Sequence, residues 1–286
     1  MNLFNLTATC CTVAALVCGS ADAHETTNLL PSVEAQICQG RIEAESSMLH
    51  LSADWYIEWP VAVSNASSKA LGIIQRQMID DSFGPLLGEE PTQTVSRLYN
   101  DPDKALQLLF SRAYSKLNVS PEEDSYTARA LDFNAYLRIR FAHAGYVGYV
   151  LEGLENEGGN GCHSYVKARV LSLATGRALI ESDFMTPSGL AAFPKVFFDR
   201  ITGKENAQYR VIGDVGDAAV ALGNFVIEPG GIRWWLRAYS VFPGGAGVQD
   251  ELMTWQELKP FLKPGKSQEL KAIFARPVVQ VNVKGG

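Results

Sequence analysis

Cys162 and His163 are neighbours that combine a thiol with a base, the residue types of a nucleophilic catalytic pair. Adjacent side chains on an extended segment point to opposite faces, so this imidazole is poorly placed to hydrogen-bond to this thiol. We therefore interpret Cys162 as a disulfide cysteine and His163 as a structural histidine, and we predict no catalytic residue at this position.

Motifs for other chemistries are absent from the sequence. It contains no Gly-x-Ser-x-Gly elbow, no Gly-Lys-Ser/Thr phosphate loop and no His-Glu-x-x-His zinc site. The glycines within 158–161 lack the spacing of a dinucleotide loop and indicate a turn. His24 would suit an N-terminal copper site only if a second histidine lay against it. We predict no metal site and no cofactor.

Acidic residues cluster at 80–81, 89–90 and 122–124, each beside Pro, Gly or Ser, which is typical of solvated loops. A glycosidase needs two carboxylates roughly 5–10 Å apart in a cleft. The sequence alone neither places nor excludes such a pair, so a hydrolytic site stays an open alternative.

Trp234, Trp235, Tyr239 and Phe242 form an aromatic group in the last quarter of the chain. On a strand, Trp235 and Arg237 share one face while Trp234 lies on the other. One face must be core, and an aromatic ring beside a guanidinium is typical of a binding surface. A cross-strand aromatic pair that covers the sheet is an equally good interpretation.

The elements that must position these residues follow from hydrophobic periodicity and turn signals. Helices are predicted from a cap at Ser64 or Asn65 to Gly84, over 94–117, over 190–201 around Pro194, and over 255–262 after a cap at Thr254. One or two strands are predicted over 33–51, and single strands over 55–63, 127–142, 146–151, 164–173, 224–228 and 232–239. Residues 278–283 are predicted to be a closing strand or a tail.

Because hairpin follows hairpin, the pattern predicts an α+β fold with mostly antiparallel sheets and helices packed on one face. Two closely associated subdomains are expected, an N-terminal one over 24–125 and a C-terminal one over 126–286.

Residues 1–23 are typical of a cleavable signal peptide, with an apolar stretch over 6–18 and a small-x-small site that ends at Ala23. Cleavage after Ala23 predicts a periplasmic or secreted protein. No later apolar run reaches spanning length, so no membrane insertion is expected after cleavage. Lipidation at Cys18 is the alternative.

Signal cleavage would remove Cys10, Cys11 and Cys18 and leave Cys38 and Cys162. Two cysteines in an exported chain most simply form one disulfide, with two buried thiols as the alternative. The formal net charge is −6, and no basic cluster is present to neutralise phosphates, which excludes nucleic acid as an expected partner. Mild acidity favours a basic protein partner.

Three segments of the second half resemble the RsiV-like C-terminal domain family, a domain of exported bacterial proteins. They are the glycine-rich stretch from 158 to His163 with 173–176 and 179–184, the stretch 225–232, and the stretch 238–247 with 255–262. Residues 56–60 and the helix after them are similar to the small domain that often precedes this family. Ala238, Ser240 and Gly244 depart from the family pattern.

The resemblance implies binding, because a domain of this family captures lysozyme at its active-site cleft. It makes 239–247 the candidate binding loop, with Tyr239, Phe242, Pro243 and Gly247, backed by Trp235, Arg237 and His163. The implied function is an exported protein that inhibits a lysozyme-like or other peptidoglycan-degrading enzyme, as a lysozyme inhibitor or an immunity protein. The alternatives are a cell-wall hydrolase that uses His163 and a structural envelope protein without an enzyme partner.

Overall fold

The computed structural model describes residues 7–11, 33–45, 49–63, 68–87, 129–143, 145–156, 162–203, 210–219, 221–243 and 246–273. The strands are β1 (Thr7–Cys11), β2 (Val33–Glu45), β3 (Leu49–Val63), β4 (Arg129–His143), β5 (Tyr146–Asn156), β6 (Cys162–Ser172), β7 (Phe225–Glu228), β8 (Gly231–Leu236) and β9 (Gln249–Thr254). The helices are α1 (Ser68–Leu87), α2 (Glu181–Phe184), α3 (Pro187–Thr202), α4 (Val215–Ala219), α5 (Trp255–Leu258) and α6 (Lys266–Ile273). The helix predicted over 94–117, the turn at 158–161 and the strand or tail at 278–283 lie outside these residues.

Strands β1 to β6 form one sheet in chain order, and β7 to β9 form a second sheet. Neighbouring strands are antiparallel except β3 and β4, which run parallel. A parallel pair needs a crossover connection, and α1 lies between these two strands in the chain. The predicted α+β fold with mostly antiparallel sheets is confirmed.

Strand β1 lies within the predicted signal peptide and pairs with β2, so that Cys10 is opposite Cys38. Export and cleavage after Ala23 stay predictions. If cleavage occurs, β2 becomes the edge of the large sheet. In the part of the chain that the structure describes, no helix is both long and apolar enough to span a membrane.

Two hydrophobic cores lie on the two faces of the large sheet. On one face α1 buries Ile74 and Met78 against the strands. On the other face, Val166 and Ala168 of β6 contribute to a core shared with α3 and the second sheet. Helices therefore pack on both faces, whereas the sequence analysis placed them on one, because α1 and the C-terminal helices each bring an apolar stripe that must be buried.

Strand β4 shows how a bulge divides its side chains between the two cores. Ala135 and Leu137 face the α1 core, as the alternation predicts. The register shifts between Ile139 and Phe141, which moves the Phe141 ring into the other core. There the ring covers Gly148, where a Cβ would lie 2.1 Å from a ring carbon.

The predicted Cys38–Cys162 disulfide is wrong. Cys38 lies on β2 and Cys162 on β6, and β3, β4 and β5 separate the two strands. Four steps between neighbouring strands place these backbones about 19 Å apart, whereas a disulfide joins Cα atoms within about 7 Å. The number of cysteines after the predicted cleavage site suggested a pair, but strands β3 to β5 lie between the strands that carry them.

Candidate protein-binding surface

Asn224 fixes the point where the candidate binding loop leaves β8. Its side-chain amide donates to the Trp235 carbonyl at 3.0 Å, and its carbonyl accepts from the Trp235 amide at 3.0 Å. Its side-chain oxygen accepts from the Ala168 amide of β6 at 2.6 Å. This residue therefore joins the two sheets and sets the loop beside the middle of β6.

The loop is held by backbone contacts on both sides. The Ser240 hydroxyl donates to the Arg237 carbonyl at 2.7 Å, which closes a tight turn. The Val241 carbonyl accepts from the Ile212 and Gly213 amides at 2.9 and 3.2 Å. A Cβ on Gly213 would lie 2.4 Å from the Ser240 carbonyl oxygen, so this close approach needs glycine. Val241 and Phe242 are buried and anchor the loop from below.

Tyr239 and Ile212 are the most exposed of the described large hydrophobic residues, each at 54 %. They lie on the two segments that the Val241 carbonyl joins. Tyr239 has φ of 63°, the left-handed region that bulky residues rarely adopt. Together with the exposed Arg237, these residues form a patch that we call the Tyr239 surface.

The structure separates the predicted site residues into three groups. Tyr239 and Arg237 are exposed and lie on the same turn. Trp235 and Phe242 are buried in the C-terminal core, so neither presents its ring to solvent, and their contact with a partner stays a prediction. Trp234 and Trp235 are both buried although they lie on opposite faces of β8, and alternation in a single strand does not reveal this.

The remaining predicted site residues are Pro243, Gly247 and His163. Pro243 is half-buried, and Gly247 has φ of 67°, a backbone conformation for which glycine is suited. His163 is the second residue of β6 and lies five residues, about 17 Å of extended strand, from Ala168, the β6 residue that Asn224 contacts. Its place in the binding site stays a prediction. Its side chain lies outside the described part of the chain.

Ile212 is the surface residue that the sequence analysis missed. It lies between Val211 and Gly213 in a segment that shows no hydrophobic periodicity. Its hydrogen bond to Val241 places its segment beside the one that carries Tyr239. The glycine after Ile212 was a weak signal of close backbone approach.

Asp81 contradicts the prediction that residues 80–81 are a solvated loop. It lies in α1, is 6 % exposed, and accepts from the Tyr149 hydroxyl at 2.7 Å. Arg169 donates to its two carboxylate oxygens at 2.8 and 3.1 Å. Burial and the neighbouring carboxylate raise the pKa of Tyr149. The group is a hydrogen-bonded network that joins α1 to β5 and β6.

Glu181 is a second buried carboxylate, at the start of α2. One of its oxygens accepts from the Gly223 amide at 2.7 Å and from the Trp234 indole at 3.0 Å. Burial raises the pKa of Glu181, partly offset by these hydrogen bonds. The carboxylate fixes the turn that leads into Asn224. Among the described residues, no group of three or more His, Cys, Asp or Glu side chains is arranged to hold a metal ion.

Comparison with solved structures finds the same fold. A member of the DUF3298 family from Bacteroides fragilis superimposes with a TM-score of 0.59 at 16 % sequence identity, over 84 % of this chain and 98 % of that protein. The chain has the fold of that protein. A DUF3298 family protein from Pseudomonas aeruginosa matches with a TM-score of 0.48 and 11 % identity, over 82 % of this chain and 96 % of its own.

No family model matches the sequence, and no curated protein matches it. At this identity the likeness concerns the fold alone. The resemblance to the RsiV-like family therefore stays a prediction, and the fold of the Bacteroides fragilis protein does not conflict with it.

Proposed function

We propose that this chain is an exported binding protein that inhibits a cell-wall lytic enzyme through the Tyr239 surface. The observation that supports it best is the exposure of Tyr239 and Ile212 on two segments whose backbones are hydrogen-bonded at Val241. A large aromatic ring, an aliphatic side chain and a guanidinium together are typical of the residues that dominate protein–protein affinity.

The contacts that hold the turn over 237–243 support a binding role. The turn that carries Tyr239 is closed by Ser240, joined to Ile212 and Gly213, and anchored by the buried Phe242. A surface that already holds its bound conformation loses little entropy when a partner docks. The strained backbone at Tyr239 is sustained by these contacts and presents the ring to solvent.

The kind of partner follows from the predicted export and from the resemblance to a lysozyme-binding family. Both favour a lysozyme-like or other peptidoglycan-degrading protein, whose inhibition would protect the cell wall. The formal net charge of −6 favours encounter with a basic protein of this class.

Tyr239→Ala is expected to weaken binding to the lytic enzyme at least tenfold, because it removes the most exposed ring of the surface. Tyr239→Gly is expected to weaken binding to the same extent. Its free energy of unfolding should be about 1 kcal/mol higher than that of Tyr239→Ala, because glycine adopts positive φ without strain. Binding to a panel of lysozymes and muramidases by calorimetry, together with denaturant unfolding, measures both effects.

Tyr136→Ala is the matched control, because Tyr136 is an exposed tyrosine of β4, away from the loop. It should leave the affinity unchanged. Equal affinity of the wild type and the Tyr239 variants for an enzyme that binds would contradict the proposal. So would turnover of purified peptidoglycan that disappears in His163→Ala, which would favour a hydrolase instead.

A further inference from the structure

Lys167 and Arg237 are brought together by the contacts of Asn224. Asn224 binds Ala168, the residue after Lys167, and Trp235, which lies two residues before Arg237. The middle of β6 and the start of the loop therefore meet at this amide. Burial, and then the nearby Arg237 guanidinium, lower the pKa of the Lys167 ammonium, so the two charges lie close enough to repel.

The carboxylate near Lys167 already has hydrogen-bond partners. Asp81 is the carboxylate that acts on Lys167, and it is bound by both Arg169 donors and by the Tyr149 hydroxyl. Neither Lys167 nor Arg237 forms an ion pair with another residue in the described part of the chain. Asp81 is therefore the carboxylate that acts on both Lys167 and Arg169, and it is held by Arg169.

This positive excess is local in a chain whose formal net charge is −6. Lys167 is partly removed from water and Arg237 is exposed, and a like charge beside a half-buried ammonium is unfavourable until an anion joins the pair. A carboxylate fits the pair, because a guanidinium offers parallel donors to its two oxygens and an ammonium adds a compact charge. Arg237 belongs to the Tyr239 surface, so an anion bound here would belong to whatever docks on that surface.

We propose that Lys167 and Arg237 form an anion site that receives a carboxylate side chain of the protein partner. The proposal rests on the proposed function for the identity of the partner, but not for the chemistry of the site. The partner would then need an acidic residue close to the place where it contacts Tyr239.

The first experiment follows the Lys167 side-chain resonance by NMR in the full chain as succinate is added. Succinate is expected to shift this resonance saturably, and Arg237→Gln is expected to weaken that binding about tenfold. Lys259, an exposed lysine after α5, is the internal control and should show no saturable shift. No saturable shift at Lys167, or tighter binding of inorganic phosphate than of succinate, would overturn the carboxylate site.

The second experiment measures affinity for the lytic enzyme that binds the wild type. Lys167→Gln and Arg237→Gln should each weaken it about tenfold, and the double variant should lose less than the product because both contact one carboxylate. Lys259→Gln is the matched control and should bind as the wild type does. Unchanged affinity of both single variants would overturn the site while the proposed function stands. Succinate binding without any lytic-enzyme binding would support the site and contradict the proposed function.

Discussion

Replacement of Asp81 by alanine is expected to lower the free energy of unfolding by about 3–5 kcal/mol, the cost of breaking a buried ion pair from one side. The variant would leave the half-buried Arg169 guanidinium and the buried Tyr149 hydroxyl without their acceptor. It would also remove the polar contact that ties α1 to β5 and β6. Guanidinium unfolding of the full chain, monitored by tryptophan fluorescence, measures the loss.

Asp81→Asn should fall between the wild type and alanine, since an amide oxygen still accepts from Tyr149 but carries no charge for Arg169. Asp199→Ala is the matched control: this aspartate pairs with Lys195 on the exposed side of α3 and should cost under about 1 kcal/mol. Equal losses for Asp81→Ala and Asp199→Ala would mean that the buried network does not stabilise the fold.

The burial of Asp81 could not be predicted from local sequence patterns. The pair of aspartates before Ser82, Gly84 and Pro85 suggested a solvated loop, yet α1 continues through it to Leu87. Burial of one aspartate depends on Arg169, which is distant in sequence and reaches it only because β6 packs near α1. No local signal encodes that pairing.

The local elements were the predictable part of the fold. Strict alternation over 127–142 predicted β4, and Gly145, with φ of 86°, makes the predicted reversal into β5. Thr254 caps α5 as expected, with its hydroxyl accepting from the Glu257 amide. Each of these depends on neighbours within a few residues, which is the range over which periodicity and capping act.

Assembly of the candidate site was less predictable, for the same physical reason. The family resemblance indicated the loop and therefore Tyr239 and Arg237, which are exposed. It did not indicate that Trp235 is buried, because that depends on how the second sheet packs. The Ile212 amide donates to the Val241 carbonyl, and the Ala168 amide, next to Lys167, donates to the Asn224 side chain. Both contacts join segments that are far apart in the chain.

Glu181→Ala is expected to cost about 2–4 kcal/mol, because the Trp234 indole and the Gly223 amide lose their shared buried acceptor. Loosening of Gly223 should also reach Asn224, the residue that positions both Lys167 and Arg237. Glu181→Ala should therefore weaken succinate binding at Lys167 as well as stability. Denaturant unfolding and the NMR titration described above measure the two effects on one variant.

The pH dependence of the difference in stability between the wild type and Glu181→Gln tests whether burial or hydrogen bonding dominates the pKa of Glu181. Burial raises the folded-state pKa of Glu181 above its ordinary value of 4.5, so the folded chain holds this proton more tightly than the unfolded chain. The stability that Glu181 contributes is complete below pH 4.5 and falls as the pH rises through the folded-state pKa. Relative to Glu181→Gln, which stays neutral, the wild type should therefore lose stability from pH 4.5 towards neutrality.

Asp183, two residues along in α2, supplies the matched control of opposite sign. Partial burial raises its pKa, but hydrogen bonds from Arg177 and the Ile180 amide outweigh this and hold the pKa below its ordinary value of 3.8. Its contribution is present above pH 3.8 and is lost as the pH falls through the folded-state pKa. The wild type should therefore lose stability relative to Asp183→Asn as the solution is acidified. Difference curves of the same slope for the two variants would show that burial does not govern the ionisation of Glu181.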